Sequence, residues 1–320
     1  MYRIYYSFKN FVKCFTHFED FLVFNFVYIS LNNFLVKFLL WYTQYMINLL
    51  KKILNNLVKP HKIPKKILNK LNYYLSYKKY NQNFFEKEQN EIFKHFGLNR
   101  HEGIKKLTLI KKDLNFELRN SEMSSEHEVI FSSLSISKNK SLTDILEIGT
   151  FDGFNSLLLS NLFPNSNIDT IDLSETDDDF INYYNRKDNI SKFIQDRNII
   201  LSKNKNINFF PLNSLKLLNY KKKYDLIWID GAHGYPVVCI DIINSLHILK
   251  ENGLILCDDV HVRLNQSNSD TMYSSIATYE TLNELKKQNL INFRLVYKKL
   301  IARYNCVENT RKFVAIVSKV

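Results

Sequence analysis

Residues 123 to 320 predict an α/β fold on a mostly parallel sheet, and three observations carry that reading. Short apolar runs alternate with helical stretches at the spacing of βα units. Two of the runs, YDLIWI and LILC, are apolar on both faces, as strands covered by helices on both sides must be. The runs also end in Asp, Gly and His where the connecting loops begin, the place where ligands sit in open parallel sheets.

Composition sets the outer limits. A chain of 320 residues, 45% hydrophobic and 24% charged, can build one large or two ordinary domains with a real core. Disorder, collagen and a disulfide-stapled mini-protein are excluded. Cys14, Cys239, Cys257 and Cys306 form no CxxC pair, so neither a zinc knuckle nor a disulfide framework is expected, and a reducing, cytoplasmic setting follows. Glycine is scarce, with 7 in the chain, and five of them (Gly149, Gly153, Gly231, Gly234, Gly253) fall between 149 and 253. A chain this sparing with glycine places it where the backbone demands it. The net charge of +12 is uneven as well: residues 1 to 122 hold 21 Lys+Arg against 9 Asp+Glu, and the rest of the chain is balanced at 23 against 23. The division is therefore drawn at 122/123, with a mainly helical, aromatic and basic extension before it.

In that extension, residues 1 to 50 carry 16 aromatics, and the longest charge-free run, Phe21 to Val36, is interrupted by three Asn and is too short for a spanning helix. It also lacks the layout of a cleaved signal peptide. Residues 51 to 80 hold nine lysines and no acid. Such a pairing of aromatic and polybasic segments suits an anionic membrane surface, so peripheral contact through residues 1 to 80 stays open beside a helical accessory domain with its own core. Pro60 and Pro64 mark a break between helices, and a helical period returns from Gln82 to Phe96. Nucleic-acid binding ranks lower because no RNA- or DNA-binding module accompanies the charge.

The elements of the second part follow in order. A helix is expected from Ser124 to Ile136, then a strand at Asp144 to Ile148 that runs into Gly149-Thr150-Phe151-Asp152-Gly153, and a helix over Phe154 to Leu162. Glycines between a strand and a helix let a ligand approach the backbone and meet the unpaired N–H groups of the helix. The spacing is GxxxG, not the GxGxxG of dinucleotide sites, which counts against NAD or FAD. The second strand, Asn167 to Leu173, ends on Asp172, a carboxylate placed to accept hydrogen bonds from the two hydroxyls of a ribose. The third, Ile207 to Leu212, runs into Asn213 and Ser214, which either meet the edge of an adenine or cap the next helix. Tyr224 to Ile229 ends in Asp230-Gly-Ala-His233-Gly-Tyr235, and Leu254 to Cys257 in Asp258-Asp259-Val260-His261. A helix over Thr271 to Gln288 and strands at Phe293 to Ile301 and Phe313 to Ser318 complete the pattern. His247 reads as structural, His261 as a candidate wall of the substrate site, and Asn265 to Asp270 as a substrate loop or plain solvent loop.

LEIGTFDGFNS (146 to 156), IDLSE (171 to 175), IDGAHGY (229 to 235) and ENGLILCDDV (251 to 260) together resemble the class I S-adenosylmethionine-dependent methyltransferases. The nearer likeness is to small-molecule O-methyltransferases of the catechol, caffeoyl-CoA and sugar-modifying kinds. It covers residues 123 to 320 and nothing before them. The resemblance implies a Rossmann-like, seven-stranded, mostly parallel sheet with helices on both faces and an antiparallel last strand. It also implies a donor site at Glu147, Gly149, Gly153 and Asp172, to which Thr150, Asn213, Ser214 and Asp230 are added as candidates from the loops at the strand ends. Metal-dependent relatives carry one Asp after the fourth strand and a pair after the fifth, which maps to Asp230, Asp258 and Asp259. Three converging carboxylates repel unless a cation lies among them, so Mg²⁺ or another divalent ion is expected there; loop capping or donor binding is the alternative for the pair. Catechol-type enzymes hold a lysine three residues after the first metal Asp. Here that position is His233, whose ordinary pKa suits a general base near neutrality.

The expectation is an O-methyltransferase acting on a hydroxyl of a small molecule, sugar or glycoconjugate, with His233 as base. Its rivals are a metal-independent enzyme acting on another nucleophile and a non-catalytic binding module that keeps the fold. No (D/N)PPY signature of amino-methylating nucleic-acid enzymes is present. Homo-oligomerisation is left open.

Overall fold

The structure, a computed structural model, describes residues 41–46, 48–49, 63–114, 125–138, 141–182, 189–262 and 275–320. The aromatic run before Trp41, most of the polybasic stretch up to residue 62 and the polar loop at 265–270 lie outside the described residues. The chain divides into two compact units, Met1–Lys70 and Leu71–Val320. In the first, residues 41–46 are helical and the rings of Trp41 and Tyr45 stack at 5.7 Å. Among the described residues no helix is long and apolar enough to cross a membrane.

From residue 63 to the sheet, the described helices are α1 (Ile63–Lys79), α2 (Gln82–His95), α3 (Arg100–Asp113) and α4 (Glu126–Ser137). Pro64 lies in the first turn of α1, where its missing N–H breaks no helical bond. Asn81, Asn99 and Ser125 cap the next three, each side-chain oxygen accepting an N–H of the first turn.

Next come β1 (Asp144–Ile148), α5 (Phe154–Leu162), β2 (Asn167–Asp172), α6 (Asp178–Asn182), α7 (Ile190–Leu201) and β3 (Ile207–Pro211). A 3₁₀ turn (Ser214–Asn219), β4 (Tyr224–Ile229), α8 (Val237–Ile248), β5 (Leu249–Val260), α9 (Ile276–Lys287), β6 (Ile291–Tyr297), the short α10 (Ala302–Asn305) and β7 (Phe313–Lys319) complete the order. The seven strands form one sheet in the order β3-β2-β1-β4-β5-β7-β6. Pairings from β3 through β5 are parallel, and β7 enters antiparallel between β5 and β6. This is the Rossmann-like architecture that the motif order implied.

Alternate strand residues feed two apolar layers. Ile145, Leu226 and Trp228 face one, packed against α2 to α5 through Phe93, Leu107, Ile130, Phe131 and Leu158. Leu146, Ile227 and Ile229 face the other, against α8 and α9 through Val238, Ile242 and Leu282. Helices α2 and α3 thus help to form the core of the sheet. Gln89 also accepts the N–H of Tyr297 at 2.9 Å and donates to its carbonyl at 2.9 Å, as a further strand would. Arg100 grips Glu126 through two bonds of 2.7 Å. The division at 122/123 is one of composition; the division in contacts falls at 70/71.

One consequence of topology positions the site. Val260 of β5 and Tyr297 of β6 both pair with Phe313 at the start of β7. The ends of β5 and β6 and the beginning of β7 therefore share one edge with the ends of β1, β2 and β4.

Candidate functional site

The glycine loop closes tightly on the end of β4. Gly149 has φ +102°, and a Cβ placed on it would lie 2.2 Å from the Asp230 carbonyl oxygen, so only glycine fits. Gly153, φ +78°, opens α5 against Leu201. Between them Phe151 holds φ +49°, an uncommon state for a bulky residue. Its N–H donates to Asp172 Oδ2 at 2.9 Å, and its ring meets Phe193 of α7 at 5.5 Å. The other Asp172 oxygen accepts the Leu173 N–H at 2.8 Å. The expected ribose carboxylate is thereby tied to the glycine loop and faces partly into solvent.

Glu147 and Thr150 lie underneath. Glu147 is 1% exposed; its oxygens accept from Asn155 at 2.7 Å, Thr170 at 2.6 Å and the Ser156 hydroxyl. Burial pushes its carboxyl up to about 7, against the pull of those three donors. Thr150, also buried, shares a 2.6 Å hydroxyl contact with Thr170. Both brace the loop from below. Asn213 takes the capping alternative: its side chain accepts the Leu215 N–H at 3.0 Å. The Ser214 carbonyl accepts from Asn244 at 3.2 Å.

The carboxylates after β4 and β5 come within electrostatic reach of one another, and a lysine bridges the pair after β5. The Lys298 ammonium, just beyond β6, is 2.6 Å from Asp258 Oδ2 and 2.5 Å from Asp259 Oδ1. Lys312 reaches the same Asp259 oxygen at 3.3 Å. Asp259 accepts φ +50° at this position, a conformation Asp tolerates better than most residues. His233 stands on the other side, Nε2 3.4 Å from Asp230 Oδ1 and Nδ1 3.9 Å from Asp259 Oδ2. The carboxylates thus have their counter-charge already, and among the described residues no three His, Cys, Asp or Glu side chains are arranged to hold a metal ion. The expected Mg²⁺ set of Asp230, Asp258 and Asp259 does not fit a divalent cation in this arrangement, because the Lys298 ammonium already bridges Asp258 and Asp259.

Electrostatics follow from that arrangement. Burial alone would raise Asp258, but the Lys298 ammonium overrides it and holds the carboxyl far below the usual range. Burial would likewise lower Lys298, and Asp258 and Asp259 reverse the sign. Asp230, with 37% of its side chain exposed, is raised by desolvation and by Asp258. Burial would lower His233, but Asp230 and Asp259 raise it. His261 is buried, with both ring nitrogens unpartnered among the described residues; burial and Lys312 bring it down to about 4. His247 is exposed on α8 and lies apart from the site.

Sequence reasoning missed Lys298, Lys312, and the buried His127, whose ring stacks on Trp228 at 4.8 Å and lies within electrostatic reach of Asp258 and Lys298. The signal for Lys298 was a charge directly after the apolar run LVY. Extending that strand to Ile301 placed the lysine inside it instead of at its end.

Residues 146–260, spanning β1 to β5, match the family model described as a methyltransferase domain. Over 197 residues the chain is 29% identical to malonyl-[acyl-carrier protein] O-methyltransferase 2 of Ilyobacter polytropus, a match covering 56% of this chain and 66% of that protein, a little under two thirds of its length. Among solved structures, an S-adenosylhomocysteine-bound methyltransferase of Podospora anserina aligns at TM-score 0.43 and 18% identity, over 67% of this chain and 87% of that one. An O-methyltransferase of Bacillus cereus in complex with the same product aligns at TM-score 0.40 and 14% identity, over 68% and 90%.

Proposed function

We propose that this chain is an S-adenosylmethionine-dependent O-methyltransferase acting on an oxygen of a small molecule, sugar or glycoconjugate. The observation that carries the reading is the meeting, at one sheet edge, of the Gly149 loop, the Asp172 carboxylate and the His233–Asp230 pair. The donor supplies an electrophilic sulfonium methyl. Asp172, held by the Phe151 and Leu173 N–H groups, accepts from the ribose hydroxyls, and the Gly149 loop leaves room for the amino-acid part. His233 takes the hydroxyl proton as the new O–C bond forms in line with the breaking S–C bond, whose electron pair stays on sulfur. Asp230 orients the ring and stabilises the imidazolium.

A second reading is favoured by Lys298 and Lys312, which flank the site, and by the name of the Ilyobacter relative: the acceptor oxygen is that of a carboxylate. Such an oxygen is ionised at neutral pH and needs no base. The basic, aromatic residues 1–80 would bring either reaction to an anionic membrane surface, which co-sedimentation with phosphatidylglycerol vesicles tests. The central experiment pairs calorimetric titration of S-adenosylhomocysteine with transfer of labelled methyl to hydroxyl and carboxylate acceptors. Product binding with label on a hydroxyl, lost in His233→Asn, supports the first reading. Transfer to carboxylates that survives His233→Asn supports the second. Binding without transfer to any acceptor favours a non-catalytic module, and no binding at all removes the assignment.

A further inference from the structure

We infer that Lys298 is a built-in replacement for a divalent cation: its ammonium occupies a carboxylate site that would otherwise recruit a metal, so the native protein works without one. The inference rests on the methyltransferase reading only for what the site is used for; the ion-exchange argument is independent of it.

The case begins with charge. Asp258 and Asp259 are each 4% exposed, and Asp230 and His233 adjoin them. Two neighbouring carboxylates this deep repel strongly unless a cation separates them. Lys298 separates them, with contacts of 2.6 and 2.5 Å to one oxygen of each. These are the two carboxylates that a hydrated Mg²⁺ or Mn²⁺ would take, since such ions are commonly held by one or two carboxylates with water filling the other positions.

Two features show that the position is built for a cation and not simply a surface ion pair. Asp258 Oδ1 is buried and has no hydrogen-bond partner among the described residues, so this carboxylate keeps an oxygen free beside the ammonium. The backbone also brings the lysine in by register: the Lys298 N–H donates to the Lys312 carbonyl at 2.9 Å, and Tyr297, Phe313 and Val260 lie in one row across β6, β7 and β5. Two of the three Lys298 N–H donors are used by the carboxylates. An ammonium offers one further hydrogen bond, whereas a divalent ion chelates two oxygens, so the acceptor for this site needs a single oxygen rather than a vicinal pair.

The test is titration of Mn²⁺, followed by calorimetry and by loss of the free-ion EPR signal, into the native chain, Asp258→Asn, Lys298→Ala, and Lys298→Ala/Asp258→Asn. S-adenosylhomocysteine binding is measured on the same samples, so that failure of the methyltransferase reading shows separately. The native chain is expected to bind no Mn²⁺ at this site. Lys298→Ala is expected to bind one ion with a dissociation constant at least roughly 100-fold lower, and the double variant to lose it. If Lys298→Ala is poorly folded, Mn²⁺ should raise its melting temperature, while the charge-balanced double variant folds without the ion. Binding by the native chain that Asp258→Asn abolishes would overturn the inference, as would a Lys298→Ala protein that neither binds Mn²⁺ nor is stabilised by it.

Discussion

Replacing Gly149 by alanine tests whether the loop is held at the closest approach its backbone permits. The added methyl would stand 2.2 Å from the Asp230 carbonyl oxygen and 2.7 Å from its carbon, where about 3.4 Å is ordinary contact, so loop and strand end must part by about 1 Å. The positive φ of +102° adds the strain of a left-handed L-residue, about 1–2 kcal/mol. Forced repacking adds about 1–3 kcal/mol. A total of roughly 2–5 kcal/mol lowers the midpoint of a domain this size by roughly 5–15 °C. On the proposed reading, displacing the Gly149 loop by about 1 Å should also weaken S-adenosylhomocysteine binding by roughly 100-fold, the order of effect such misplacements have in catalytic sites. Gly231→Ala is the control, because the nearest neighbours of its methyl would be Ile148 Cγ2 at 3.4 Å and Asp241 Oδ2 and the Ile148 carbonyl oxygen at 3.8 Å, all at ordinary contact distance. Its cost should stay under about 1 kcal/mol. Differential scanning fluorimetry and calorimetry read both effects. A Gly149→Ala protein with native midpoint and affinity, or a Gly231→Ala protein equally damaged, would refute the close-approach argument.

Three further outcomes are expected. Glu147 titrates near 7 in the folded chain and near 4 when unfolded, so the folded state holds its proton longer and stability falls as pH rises between those values. Glu147→Gln should flatten the dependence from pH 5 to 8 by about 3 kcal/mol in urea denaturation, and an unchanged slope would remove the buried-proton argument. Because Asp230 and Asp259 raise His233, the base-dependent rise in kcat should lie above the ordinary histidine pKa of about 6.5. His233→Asn should lose that limb and roughly 100- to 10,000-fold in rate while keeping product affinity; a retained limb would assign the base elsewhere. Asp172→Asn should weaken product binding roughly 10- to 100-fold, the loss of a charged hydrogen-bond acceptor, while thermal stability stays near native. Native affinity would take Asp172 out of the donor site.

The legible parts of the chain were those whose signal is local. β1, β2 and β4 are apolar runs closed by glycine or acid, and Phe154–Leu162 and Tyr224–Ile229 occupy the predicted residues. β5 begins five residues earlier than LILC indicated, because Lys250 to Gly253 look like a turn although Leu249 already pairs with Tyr224. α2 and α3 were assigned to the extension on charge, but charge describes the outer face of a helix. Phe93 and Leu107, buried on the inner faces, place them with the sheet. The metal expectation found no support among the described residues, and the lysine that bears on it was hidden by distance along the chain. Asp258 and Lys298 are 40 residues apart, and only the antiparallel insertion of β7 brings β6 to the same edge as β5.

That insertion also orders events during synthesis. β7 follows every other strand of the sheet in sequence yet lies inside it, between β5 and β6. A ribosome releasing the chain from its N-terminus therefore exposes Asp258, Asp259 and Lys298 before the strand that aligns them has emerged. Until Phe313–Lys319 clears the exit tunnel, β5 carries an open edge of unpaired N–H and C=O groups beside two carboxylates without their proper counter-ion. β1 to β4 can already be folded by then, so the Gly149 loop and Asp172 come together before Asp258, Asp259 and Lys298 do.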